Sequence, residues 1–207
     1  MHSMIESADS LRGQRKRETA RALTDAARRL TSTRGFTGFT VEELCTEVGV
    51  SRRTFFNYFE SKENAIFGFA LVDDAERALA EEFASQSGDI VDDFASMMIR
   101  RWALFDPVAE APVVLAIIEE EPRLLKAAFA HLAANERRDI ELIQRRMGDD
   151  GDESRVRAEV VVHVFGALVR MCMDELLQHH SPESFEDLLT RRLEIARSTL
   201  TPPQKAH

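Results

Sequence analysis

Ser51, Arg52, Arg53, Thr54, Asn57 and Tyr58 crowd one short stretch of the chain, and their functional groups suit recognition of a nucleic-acid duplex. An arginine fork donates to guanine O6 and N7, and an asparagine amide matches the edge of adenine. Serine, threonine and tyrosine hydroxyls reach phosphate oxygens. A helix opening at Ser51 would add free backbone amides that favour phosphate. Patterns for bond-making chemistry are missing from the sequence: it has no HExxH, no GxSxG, no P-loop and no Rossmann glycine triplet. Cys45 and Cys172 lack CxxC spacing. His179 and His180, adjacent on a helix, point about 100° apart and so make no chelating pair. Glu119, Glu120 and Glu121 read as a solvated helix end. The chain is read as a binding protein rather than an enzyme, with no metal and no cofactor.

The elements that must hold these groups are helical. Thr40-Val41-Glu42-Glu43 has the form of a capping box, in which the threonine hydroxyl meets the N3 amide and the glutamate reaches back. The short helix it opens turns Leu44, Cys45 and Val48 inward before Gly49. Ser51 caps the next helix, read through Phe59, with Phe55 and Phe59 four apart on one face. Two short helices joined by a turn containing glycine make a helix-turn-helix over residues 40–59. Upstream, Ala20, Leu23, Ala27 and Leu30 repeat at helical spacing, Arg21, Arg28 and Arg29 lie elsewhere around the wheel, and Gly35 closes the helix. Downstream, Ser61 caps a helix read from Lys62 to near Ala84 without a break. Segments 90–105, 113–120, 122–147 and 152–179 follow, with Pro107 and Pro112 between the first two. A last helix opens at Ser181-Pro182-Glu183 and ends near Leu200. The fold class is all-α, about nine helices in total.

With 44% hydrophobic and 30% charged residues, the 207-residue chain can bury a core and carry a polar surface. Its net charge of −9 speaks against nucleic acid until the distribution is read. Residues 12–62 hold eleven Lys and Arg against six Asp and Glu, a balance of +5, whereas residues 65–207 hold sixteen against twenty-seven, a balance of −11. That asymmetry is the footprint of a small head that meets phosphate and a remainder that must not. The longest uncharged run in the C-terminal half, residues 160–169, is about half the roughly 20 residues a spanning helix needs. The first residues are charged and lack the apolar core of a secretion signal. Few cysteines and no paired spacing fit reduced thiols, so the chain is expected to be cytoplasmic.

From Arg15 to about Ala70 the sequence resembles the DNA-binding head of the TetR family of bacterial regulators. The residues that carry the likeness are Ala27–Leu30 with Gly35-Phe36, Thr40-Val41 with Leu44, Gly49-Val50-Ser51, Thr54, Tyr58-Phe59 and Ser61-Lys62-Glu63. The resemblance implies that Thr40 and Val41 touch a phosphate and that Ser51, Arg52, Arg53 and Thr54 lie at the groove-facing end of the recognition helix. It makes Arg52 and Arg53 the base readers, lets Asn57 and Tyr58 reach bases or backbone, and gives Lys62 a phosphate to clamp. Phe56 departs from the family, which often has a tyrosine there whose hydroxyl meets phosphate; Tyr58 is the side chain left to replace it. Cys45 stands where alanine is usual and is read as a small packed residue. Arg12, Arg15, Lys16 and Arg17 form a basic arm that either follows DNA or stays a solvated tail.

The resemblance also implies a homodimer on a palindromic operator, because one head reads only a few base pairs. Residues 1–14 are then a flexible arm, 15–62 the DNA-binding domain, 63–200 a helical ligand-binding and dimerisation domain, and 201–207 a tail. The apolar faces of the last two helices, Val160, Val164 and Leu168 on one and Leu189 and Leu193 on the other, would pair with their copies. Thirteen Phe and seven Met against one Trp and one Tyr favour greasy pockets. Phe94, Met98, Trp102, Phe105, Phe129, Phe165 and Met171 are the candidates to line one for an apolar or amphipathic effector that releases DNA. Two other readings stay open: an all-α module whose head docks a protein, and a DNA-binding activator without a ligand.

Overall fold

The computed structural model describes residues 2–70, 74–104, 107–178 and 181–200, with side chains described for 13–70, 75–104, 111–177 and 181–200. Every regular element among them is helical. Helix α1 spans His2–Arg34 and is followed by a single 3-10 turn, Phe36–Gly38. Helices α2 (Val41–Val48), α3 (Arg52–Phe56) and α4 (Lys62–Phe67) complete the head. Then come α5 (Asp74–Ser85), α6 (Ile90–Ala103), α7 (Pro107–Glu120), α8 (Arg123–Met147), α9 (Asp152–Gln178) and α10 (Phe185–Leu200).

Several boundaries differ from the sequence reading: α1 starts at His2, inside the stretch expected as an arm, α10 starts at Phe185 rather than at Ser181, and three more have a clear physical reason. The helix expected to run from Lys62 to Ala84 stops at Phe67, because Gly68 takes the left-handed conformation (φ 75°) and its N–H closes on the carbonyls of Asn64 and Ala65. Glycine adopts that conformation without a Cβ penalty, which makes it the natural end of a helix. This extra break raises the number of α-helices among the described residues to ten. Helix α7 starts at Pro107 and passes through Pro112 instead of starting after it. A proline there removes one N–H from the helical ladder and crowds the carbonyl four residues back, yet the helix continues past it to Glu120. The recognition helix is also shorter than expected: α3 ends at Phe56, although the Phe59 N–H still donates to the Phe55 carbonyl at 3.0 Å.

The chain divides into two compact units, one of residues 1–77 with 112–134, the other of residues 78–111 with 135–207. In the first, Leu23, Ala27 and Leu30 of α1 bury against Leu44, Phe55, Phe59 and Ile66, and Ile117 and Leu124 join the same cluster. Arg28, placed by the sequence reading off the apolar stripe, is buried instead, and its Nε donates to the Ile66 carbonyl at 2.8 Å. A guanidinium at the C-terminal end of α4 meets carbonyls that the helix itself leaves open. In the second unit Phe94 packs edge-on against Phe83 and Phe165, with centroids 5.7 and 5.0 Å apart, amid Ile143, Leu188 and Leu189. Among the ion pairs between its helices, Arg101 grips Asp139 through two hydrogen bonds of 2.9 Å, and Arg146 pairs with Asp93 while lying over the Phe83 ring.

Candidate nucleic-acid interface

The head's outward groups are set by three helix caps. Thr40 takes an extended conformation, its hydroxyl accepts the Glu43 N–H at 3.2 Å, and its own N–H donates to the Glu43 carboxylate at 2.7 Å. That backbone hydrogen bond, first among several causes, holds the Glu43 carboxyl below its ordinary value. Gly49 ends α2 at φ 78°, and both its N–H and that of Val50 close on the Cys45 carbonyl. The corner turns tightly there because Cys45 is small and buried, as the sequence reading had it. Burial also pushes the Cys45 thiol up, so it stays protonated and acts as packing. Ser51 opens α3, accepting the Thr54 N–H at 3.0 Å, while the two hydroxyls lie 2.8 Å apart.

These caps set the first turns of α2 and α3 side by side: Arg52 reaches Glu42 at 2.8 Å and lies over the Phe56 ring at 5.5 Å. Thr40, Ser51, Arg52, Arg53 and Asn57 are exposed, and Thr54 is half-buried. Phe55 beneath them is fully buried, so the outward position of Arg52 and Arg53 is fixed by packing on the opposite face. Phe56 keeps 41% of its surface exposed, an apolar side chain among cations. Val41 and Tyr58 pack partly against the head core.

Lys62 does not stand ready as a phosphate clamp. Its ammonium turns inward, donating to the carbonyls of Phe36 at 2.6 Å and Phe39 at 2.7 Å, and stands 4.3 and 4.1 Å from the centroids of the two rings. Desolvation there lowers its pKa. Carbonyls more than twenty residues away in sequence recruited this cation, and nothing in the local spacing announces them.

The expected ligand and dimer residues are scattered. Phe94 and Phe165 sit in the packed core, Met98 and Trp102 flank it, and Trp102 stacks face to face on Phe185 at 3.8 Å. Phe129 belongs to the other unit and is 62% exposed. Phe105 lies outside the described residues. Leu168, Leu189 and Leu193, expected at a dimer contact, are buried in their own chain's core. Met171, expected at the ligand, faces out, as does Val160, while Val164 is half-buried. Helix α9 is apolar on two sides, which a single stripe of spacings could not separate: Ala158, Val162, Phe165 and Cys172 face in, while Val156, Val160, His163, Val164 and Ala167 line an open groove with Glu159.

Residues 23–65, from the buried stretch of α1 into α4, match the family model of bacterial regulatory proteins, tetR family. No curated protein matches the chain. Among solved structures, a protein assigned to the TetR-family transcriptional regulators of Mesorhizobium loti shares 17% identity with a TM-score of 0.47, covering 90% of this chain and 96% of that one. No helix of the described residues is long and apolar enough to cross a membrane. The matched segment holds both capped helices and the outward cations, so residues 23–65 form a segment similar to the tetR family of bacterial regulatory proteins.

Proposed function

We propose that the protein is a homodimeric repressor that binds a palindromic operator and is released by an apolar or amphipathic effector. The observation that carries the dimer is the outward face of α9, where Val156, Val160 and Met171 are more than half exposed, joined by Ile195 of α10. Large apolar side chains left in water along one helix favour burial against a like surface, and two-fold pairing is the commonest way to supply it. Two heads then read half-sites about one helical turn apart, or farther on a widened operator. Arg53 and Asn57 meet base edges, Arg52 exchanges Glu42 for a phosphate or a guanine, and Thr40 and Ser51 lie at the backbone.

For the effector, the support is the soft flank of the second core, where Met98 and Trp102 are only partly buried. A flat apolar molecule there competes with Phe185 for the face of Trp102. A hundred-fold loss of operator affinity requires about 2.7 kcal/mol of difference in the effector's affinity for the two states. Sedimentation of the wild type and of Val160→Glu tests the dimer: two copies for the first and one for the second, with equal helix content. A wild type that stays monomeric at micromolar concentration sinks it. Trp102 is the only tryptophan, so its emission reports directly on candidate effectors; compounds that release operator DNA without changing that emission move the effector site elsewhere.

A further inference from the structure

The family match ends at Ala65, yet the turn that leads into α2 is held by residues far beyond it. Phe36 is gripped at three places. Its N–H donates to Glu121 Oε1 at 2.9 Å, its carbonyl accepts from Lys62, and its ring faces both Lys62 and Arg123, the latter at 4.4 Å. Glu121 Oε2 pairs with Arg123 at 3.0 Å, so one carboxylate fixes the backbone of the turn and also the cation over its ring. The glutamate read from sequence as a solvated helix end keeps only 22% of its side chain exposed. Ile117 before it and Leu124 after it are buried in the head core, which leaves the α7–α8 corner no freedom to carry Glu121 away.

The turn needs such support. Its own hydrogen bonding amounts to one contact, Gly38 N–H to the Gly35 carbonyl at 3.0 Å, and 3-10 geometry is weak by itself. Gly35 enters it at φ 73°, ψ 161°, a region open essentially to glycine alone. Two residues after the turn ends at Gly38, Thr40 caps α2, so any shift of Phe36 moves the cap and the first turn of α2 with it.

We propose that the α7–α8 corner is a positioning element of the DNA-binding head, and that Glu121 is the residue through which it sets the start of α2. This rests on the DNA-binding reading. Coupling between sites is reciprocal, so DNA held by the head must in turn steady the corner, which does not itself touch DNA in this reading.

The test uses the full chain and a duplex selected by the wild type from a random pool. Glu121→Ala should lose about tenfold in affinity for that duplex, the size expected of a charge-assisted hydrogen bond, with less than about threefold change on scrambled duplex. Glu121→Gln, whose carbonyl still accepts the Phe36 N–H, should stay within about threefold of wild type. In the wild type the selected duplex should slow amide exchange at residues 117–125. Equal binding by Glu121→Ala and wild type, or proportional loss on both duplexes, overturns the inference, since the second is what a merely loosened head would do. If Glu121→Ala fails to fold, the exchange experiment decides, and unchanged exchange at the corner overturns it. A wild type that selects no duplex overturns the DNA-binding reading itself, and the inference falls with it.

Discussion

Arg52 and Arg53 on α3 and Val156 and Val160 on α9 all face outward, yet water treats the two pairs differently. An exposed guanidinium stays hydrated, even when paired as Arg52 is with Glu42, until a phosphate displaces its partners, so a head can wait with its cations in solvent. An exposed valine costs free energy for as long as it waits, in proportion to its apolar area. The head can therefore be complete in one chain, with Phe55 buried beneath the cations and the caps closed. In the proposed dimer the α9 face is covered by a second copy. The lesson is that the two surfaces call for different measurements: salt moves the first and protein concentration moves the second.

The comparison can be broken most forcefully from below. Phe55→Ala empties the fully buried position under α3 and should cost about 3–5 kcal/mol of head stability, read as a lower melting temperature together with lost DNA binding. If melting stays unchanged, the cations are not fixed by that packing. Next in size, Arg53→Ala should weaken binding to the selected duplex by about 1–3 kcal/mol with no change in melting. Unchanged binding removes Arg53 from the readout. Thr40→Ala should cost about 1 kcal/mol of stability through the lost cap, measured by urea unfolding. The smallest effect belongs to Arg157→Ala, which breaks an exposed pair with Glu153 and should change stability by about 0.5 kcal/mol or less. A larger change would mean that this surface is not solvent-facing in the assembled protein.

Acid sharpens the head's side of the comparison. Glu43 is held below its ordinary 4.5, chiefly by the Thr40 backbone hydrogen bond. A carboxylate with a lowered pKa contributes stability above its ordinary value and loses it as pH falls through the folded one. Melting of the wild type should therefore drop below about pH 4.5 more steeply than that of Glu43→Gln, which has no carboxyl to titrate. Parallel curves for the two proteins would separate the capping box from the acid response.

Much of the head was legible because its signals are local: Thr40 to Glu43, Gly49, and Ser51 to Thr54 are each contacts within a few residues. Lys62 and Glu121 were misread for the converse reason, since their partners lie 26 and 85 residues away. Gly68 leaves no mark in the periodicity because Phe67 and Phe69 on either side keep the apolar pattern running, although the backbone reverses hand there. Among the large apolar residues, helical spacing marks a stripe but not its neighbour. Leu168 and Met171 therefore look alike in sequence, while one is buried and the other stands in solvent.

The two cysteines carry a practical consequence. Cys45 and Cys172 are both buried, and burial pushes both thiols up, so at neutral pH neither offers much thiolate to an alkylating reagent. The native chain is then chemically quiet toward maleimides. A single cysteine placed at an exposed position such as Phe129 would take up a dye or a spin label alone, and distances between labels could be read in the wild-type background without first removing any residue.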